Sequence, residues 1–290
     1  MTERLLADAP DAARGYVLLD VFALTPLSGN PLAVFTDGAG LSAPQMQRAA
    51  RELNLSESVF LELEGDRAHA RIFTPSAELP FAGHPVLGAG FVAARLAGEG
   101  EVEVLTARGA VRVSVNAAGR AAMVQPLPTE IDSADARALL EALGIDTTPL
   151  IGPAAFENGP RHVFVVLDDP GTLAALAPDM NALARCGEWL VSCAAIAGEE
   201  VRMRTFLPAL GVNEDPATGS AAGPLAVHLC RNGLAPWNAW LTIRQGEALG
   251  RPSLLEALAR GDGQRLAEVR VRGQVAVVGE GRLLVGAAAP

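Results

Sequence analysis

The chain has 290 residues and is half apolar, ample for a large core and one or two domains, yet only 4% are aromatic, so that core must be mostly Ala, Val and Leu. The formal net charge is −10 and every basic side chain apart from histidine is Arg. That balance argues against a general nucleic-acid or anionic-membrane surface, but leaves room for a small anionic substrate held by helix ends.

Residues 1–14 read as a loose extension, acidic and without an apolar leader segment, so no secretory signal is expected. Tyr16–Phe22 reads as a strand, and Gly29-Asn30-Pro31 as a turn into a second strand, Leu32–Phe35. Ser42 caps a helix with Gln45 as capping-box partner and Met46, Ala49, Ala50 and Leu53 as the apolar face. Asn54–Glu57 ends it and enters the strand Ser58–Leu63, followed by the strand Arg67–Phe73. Glu57 reads either as a solvated turn acid or, if it faces a cleft, as a desolvated proton-transfer group. Val86–Leu96 is apolar or small on nearly every face, which predicts a buried helix. Strands Glu101–Thr106, Ala110–Val115 and Ala121–Gln125 complete a sheet wrapped around it.

Pro126–Ser133 is the expected linker, dividing the chain into domains 1–127 and 128–290. Ser133 then caps a helix ending at Gly144, and Gly159-Pro160 echoes the earlier turn. His162–Leu167, Trp189–Ala194 and Val201–Phe206 are expected strands, with a short helix near Asn181–Arg185. A helix Gly219–Arg231, capped by Asn232-Gly233, leads to strands Ala239–Gln245, Leu266–Arg272, Gln274–Val278 and Arg282–Val285, with Ser253–Arg260 as a short inserted helix.

Two stretches repeat each other. RIFTPSAELPFAGHPVLGAG (71–90) and RTFLPALGVNEDPATGSA (204–221) both open R-x-F-x-P, reach an ionisable residue before proline (His84-Pro85, Asp215-Pro216), and place a glycine three residues beyond (Gly88, Gly219). Each reads as strand, loop and helix N-terminus. Unpaired N–H groups there, from Thr218, Gly219 and Ser220 in one copy and Val86, Leu87 and Gly88 in the other, suit a carboxylate ligand. Either His84 and Asp215 form an acid/base pair across a cleft, or the copies are duplicated turns with Asp215 as a plain N-cap.

His69 is expected exposed, and His162 and His228 ordinary surface or satisfied positions. Cys186, Cys193 and Cys230 form no C-x-x-C pair, with Cys193 and Cys230 expected to be packing residues. No Cys/His cluster, G-x-G-x-x-G after a strand or P-loop is present, so no metal and no nucleotide cofactor is expected. No apolar run reaches transmembrane length, and a soluble, reducing, cytoplasmic setting is expected.

Taken together, DVFALTPLSGNPLAVF, LNLSESVF, RIFTPSAELPFAGHPVLGAG, NEDPATGSAAGPLAVHL and QGEALGRPS resemble the PhzF-like family of phenazine-biosynthesis proteins over residues 20–253. The resemblance implies an α+β fold like diaminopimelate epimerase: two pseudo-symmetric domains, each a β-barrel-like sheet around a central helix, with the active site between them. It implies a cofactor-free proton shift, as in isomerisation of trans-2,3-dihydro-3-hydroxyanthranilate, with Glu57 as the shuttle and His84 and Asp215 as supports. Ser56, Gly83, Gly88, Thr218, Gly219 and Ser220 are then the candidate substrate-binding positions. The two cysteines of the epimerase relatives are replaced here by His84 and Asp215, which disfavours a two-thiol mechanism. A homodimer is expected from the same resemblance. The rival readings are a non-catalytic small-acid binding protein and an amino-acid epimerase or dehydratase using the same cleft.

Overall fold

The computed structural model describes residues 13–65 and 67–286. The expected extension lies outside them except for Ala13 and Arg14, which open the first strand. β1 (Ala13–Val21) pairs antiparallel with β2 (Asn30–Phe35), and α1 (Ala43–Leu53) crosses to β3 (Glu57–Glu64), parallel to β2. β4 (Arg67–Phe73) turns back antiparallel, and the two-residue β5 (Glu78–Leu79) hooks onto it. α2 (Gly83–Ala97) then crosses to β6 (Glu101–Thr106), parallel to β4, and β7 (Gly109–Val115) and β8 (Arg120–Gln125) follow antiparallel.

After β9 (Thr129–Ile131) and α3 (Ala136–Leu143) the same programme runs again. β10 (Ile151–Glu157) pairs antiparallel with β11 (Arg161–Leu167), and α4 (Pro170–Ala175) and α5 (Met180–Arg185) cross to the parallel β12 (Leu190–Ala197). β13 (Glu200–Leu207) turns back, β14 (Val212–Asp215) hooks onto it, and α6 (Gly219–Arg231) crosses to the parallel β15 (Trp240–Gln245). β16 (Ser253–Gly261) and β17 (Leu266–Leu284) follow antiparallel. The fold is α+β with two pseudo-symmetric halves, each a sheet around one helix. The helices can sit there because they lack a polar face: α2 is buried from Gly83 to Ala94 and α6 from Gly219 to Cys230.

The repeat extends to side chains. In each β4-like hairpin an Arg grips the Glu of the hooking strand with two bonds: Arg71 to Glu78 at 2.7 and 2.7 Å, Arg204 to Glu214 at 2.9 and 2.8 Å. Each guanidinium also lies over the next phenylalanine, Phe73 at 5.3 Å and Phe206 at 5.0 Å.

β17 belongs to both halves. Its first part pairs with β16 and β8, and from Val275 onward it pairs with β1. The matching continuation of β8 is β9, which pairs with β10. There the sequence Pro126-Leu127-Pro128 breaks the ladder, because proline has no N–H to give it.

Several local expectations are corrected. Ser253–Arg260 is strand, not helix: Ser253, Leu255, Ala257 and Ala259 face inward between β15 and β17, so sheet pairing overrides the helix preference of Leu, Glu and Ala. The three final strands are one. The expected linker contains β9, and α3 is capped by Asp135, whose carboxylate accepts from Arg137 and Ala138 N–H, not by Ser133. β5, β10, α4 and β14 lie outside the sequence expectations. His162 and His228 are neither surface nor fully satisfied: both are buried, packed on Phe164 and Phe156, and neither nitrogen of His162 nor Nε2 of His228 has a hydrogen-bond partner among the described residues. Among the described residues no helix is long and apolar enough to cross a membrane.

Candidate active site

The two central helices point their N-termini at each other. Gly83 packs against the Ser220 backbone with no room for a side chain, and a Cβ on Gly219 would lie 3.2 Å from His84 N. Equivalent places in the two halves are therefore Gly83 with Gly219 and His84 with Ser220. The expected match of His84-Pro85 to Asp215-Pro216 is displaced: His84 sits in the first turn of α2, whereas Asp215 ends β14, before α6 begins. The shift also changes the donors. Val86 N–H already bonds Ala82 O, so the open first-turn N–H groups of α2 belong to Gly83 and His84. At α6, Thr218 N–H bonds Gln245 Oε1 and Ala221 N–H bonds Thr218 O, which leaves Gly219 and Ser220.

Beside this junction lies a cavity of about 700 Å³. Ser56, Glu57, Gly83, His84, Asp215, Thr218, Gly219 and Ser220 all line it. Gly88 does not. Its missing side chain makes space for Leu19, Val21 and Leu32 where α2 crosses the sheet, so it is a packing glycine rather than a binding position.

Glu57 opens β3, opposite Leu32 of β2, and this brings it over the first turn of α2. Its Oε2 lies 3.3 Å from His84 Nε2, and neither atom has a hydrogen-bond partner among the described residues. Burial, aided by the nearby Asp215 charge, raises the Glu57 carboxyl from 4.5 to about 8. Burial lowers His84 to about 3, so its imidazole is neutral. Asp215 is also raised by burial, although hydrogen bonds from Thr218 and Asn30 act against this. The Glu57 side chain keeps 15% of its surface exposed. The floor of the cleft thus offers a protonated carboxyl at neutral pH, beside a neutral ring and opposed helix ends that favour an anion.

Four side-chain amides absent from the sequence prediction hold the 215–220 segment in place. Asn30 Nδ2 donates to Asp215 Oδ1 at 2.8 Å and Ala217 O at 3.0 Å, and contacts His84 Nδ1 at 3.3 Å. Gln245 Nε2 donates to Asp215 O at 2.7 Å and Thr218 Oγ1 at 2.9 Å; the Thr218 hydroxyl in turn donates to Asp215 Oδ2 at 2.6 Å. Gln125 bonds Gly219 O at 2.8 Å and Asn158 bonds Ser220 O at 2.9 Å. The last bond has a local cause. Pro224, four residues along α6, has no N–H to offer the Ser220 carbonyl, and Asn158 supplies one. Asn30 and Gln245 did carry a signal: both fall within the family-like segments, at a turn and at a strand end.

Among the described residues there is no group of three His, Cys, Asp or Glu side chains arranged to hold a metal ion. Cys193 and Cys230 are buried, and burial raises their thiols to about 12 and about 11.

The profile of the phenazine biosynthesis-like protein family matches residues 19–281. The chain belongs to that family. A Pseudomonas aeruginosa relative named trans-2,3-dihydro-3-hydroxyanthranilate isomerase is 45% identical over 276 residues, covering 92% of this chain and 98% of its own. Among solved structures, a predicted epimerase from Pseudomonas aeruginosa superposes with a TM-score of 0.81 at 34% identity, over 93% of this chain and 99% of the other. A probable proline racemase from Agrobacterium radiobacter, 15% identical with a TM-score of 0.63 over 92% of both chains, shares the fold. Within this family framework the helix mouths carry His84 and Asp215, with no thiol at either.

Proposed function

We propose that the chain is an isomerase that moves a proton within an unsaturated, carboxylate-bearing small molecule of the class named for its relative, trans-2,3-dihydro-3-hydroxyanthranilate. The observation that carries this reading is the Glu57 carboxyl, buried at the cleft floor 3.3 Å from His84 and raised to about 8. A general acid/base works best when its pKa is near the working pH, so that it both takes and returns a proton. In the fraction of molecules where Glu57 is ionised, it removes a proton from one carbon, the double bonds shift, and the newly protonated Glu57 returns a proton to another carbon of the same system. The substrate carboxylate sits on the N–H groups of Gly219 and Ser220, while His84 and Asp215 frame the reacting end. Ser56, Gly83 and Thr218 complete the binding wall.

With proton uptake and return vested in one carboxyl, the reaction needs no added metal, nucleotide or flavin. Full loss of turnover on exhaustive chelation, restored by a divalent ion, would refute that part. The same reading includes a division near residue 127, a cytoplasmic setting and a homodimer; light scattering at about 30 kDa across working concentrations would reject the dimer.

The test of the reaction is incubation with the dihydro-hydroxyanthranilate and related cyclic acids in deuterated water, followed by NMR. Expected is conversion to the ketone tautomer with deuterium at the receiving carbon. Tight binding without conversion of any of these acids would instead make the chain a small-acid binding protein.

A further inference from the structure

We infer that Asn30 is a positioning residue that fixes the tautomer of His84, with the ring hydrogen on Nε2 facing Glu57 and Nδ1 left as an acceptor. The orientation of the Asn30 amide is set from outside the histidine. Its nitrogen has Ala217 O at 3.0 Å and Asp215 Oδ1 at 2.8 Å, and a backbone carbonyl can only accept. Turning the amide over would set its oxygen against both, in a site with no exposed surface. The nitrogen therefore also faces His84 Nδ1, 3.3 Å away. A hydrogen on Nδ1 would point at a donor with no acceptor in reach. In a neutral ring the remaining position is Nε2, 3.3 Å from Glu57 Oε2.

This arrangement sorts the two oxygens of Glu57. Oε2 is buried against the Nε2 edge of the ring in a 3.3 Å contact, so when Glu57 is protonated its own hydrogen belongs on Oε1, the oxygen left to the cleft. When Glu57 is ionised, the same Nε2–H stabilises the charge. Asn30 thus decides which face of the acid is presented to substrate without touching the substrate itself. The catalytic half of this inference rests on the isomerase reading; the tautomer does not.

The test begins with the resting wild-type protein labelled with nitrogen-15 in histidine, with the His84 signals identified by their absence in His84→Gln. Nitrogen shifts and long-range couplings distinguish the tautomers directly. Expected is an unprotonated Nδ1 and a protonated Nε2; a protonated Nδ1 would overturn the inference whether or not any substrate is turned over. Asn30→Ala is then expected to convert the ring to a tautomer mixture. It should also lower kcat about tenfold to a hundredfold, by analogy with the partners that orient a metal-bound histidine, with KM little changed. Asn30→Ser, whose shorter side chain leaves room for a water that can donate to Nδ1, should recover part of the loss. An Asn30→Ala protein with wild-type tautomer and kcat would refute the positioning role. If Asn30→Ala fails to fold, the wild-type spectrum still decides the tautomer, and Asn30→Ser the role.

Discussion

A methyl group placed on Gly83 would overlap the backbone nitrogen of Ser220: the first turns of α2 and α6 meet there backbone to backbone. Gly83→Ala must therefore part the two helix ends, at a cost of about 1–3 kcal/mol for an overpacked contact. Because the parted ends are also the anion-binding donors, turnover per folded molecule should fall as well. Gly88→Ala is the control. It crowds Leu32 inside the sheet, so it should lower the melting temperature while leaving kcat unchanged. Equal specific activity for the two variants would contradict the assignment of the helix junction to the site.

Glu57→Gln keeps the shape of the side chain but removes the titrating proton. Turnover should fall by about 10²–10⁴ or more, the contribution of a general acid/base. Binding of a substrate-like carboxylate, measured calorimetrically, should persist because the helix-end N–H groups are untouched. Retention of more than about a tenth of wild-type turnover, far above the loss expected, would assign the proton transfer to another group.

The buried ionisable groups set opposite slopes in stability. His84 and His162 fall from 6.5 to about 3 in the folded protein, so below pH 6.5 the unfolded chain takes protons that the native state refuses. Stability should drop as pH falls from 6.5 toward 3. Glu57 rises from 4.5 to about 8, so the native state holds a proton that the unfolded chain has lost; this contribution is present below 4.5 and fades as pH rises through 8. Melting curves against pH should show the acid limb flattened in His162→Leu and the alkaline limb flattened in Glu57→Gln. Unchanged limbs in these variants would contradict the burial of both groups.

Asn158→Leu should destabilise by about 1–3 kcal/mol, the penalty for a buried carbonyl without a donor. Pro224→Ala supplies a new N–H four residues beyond Ser220, so the double variant should recover part of that loss. Denaturant melts of the four proteins test this: strict additivity would mean that Pro224 and Asn158 do not serve the same carbonyl.

What could be read from the chain followed from local causes. The all-apolar helices, the R-x-F-x-P repeat, the capping pair Ser42–Gln45, and Glu57, His84 and Asp215 each carry their signal within a few residues. In the structure Gln45 Oε1 accepts from Ser42 N–H at 2.9 Å, as the spacing predicts. What was missed depends on partners far along the chain. Leu254, Leu255 and Ala257 favour helix until β15 and β17 lie on either side. Asn30 reads as turn chemistry, and only folding brings it to Asp215, 185 residues away. The aligned His-Pro and Asp-Pro dipeptides misled for a related reason: proline serves both inside a first turn and ahead of one, so matching letters did not mean matching places.

The strand shared by both halves has a consequence for how the molecule can move and come apart. β17 lies across the pseudo-twofold relation as a crossbeam, bonded to β16 and β8 at one end and to β1 at the other. Swinging the halves wide open as a hinge would shear this ladder, so access to the cleft falls to shorter pieces of its wall, among them the segment from Leu207 to Val212. Cutting the chain near residue 127 would take from β1 one of its two partners along nine residues and leave the second half of β17 unpaired in the other fragment. Such raw edges recruit other chains, so the separated pieces should aggregate when kept apart and reassemble when refolded together.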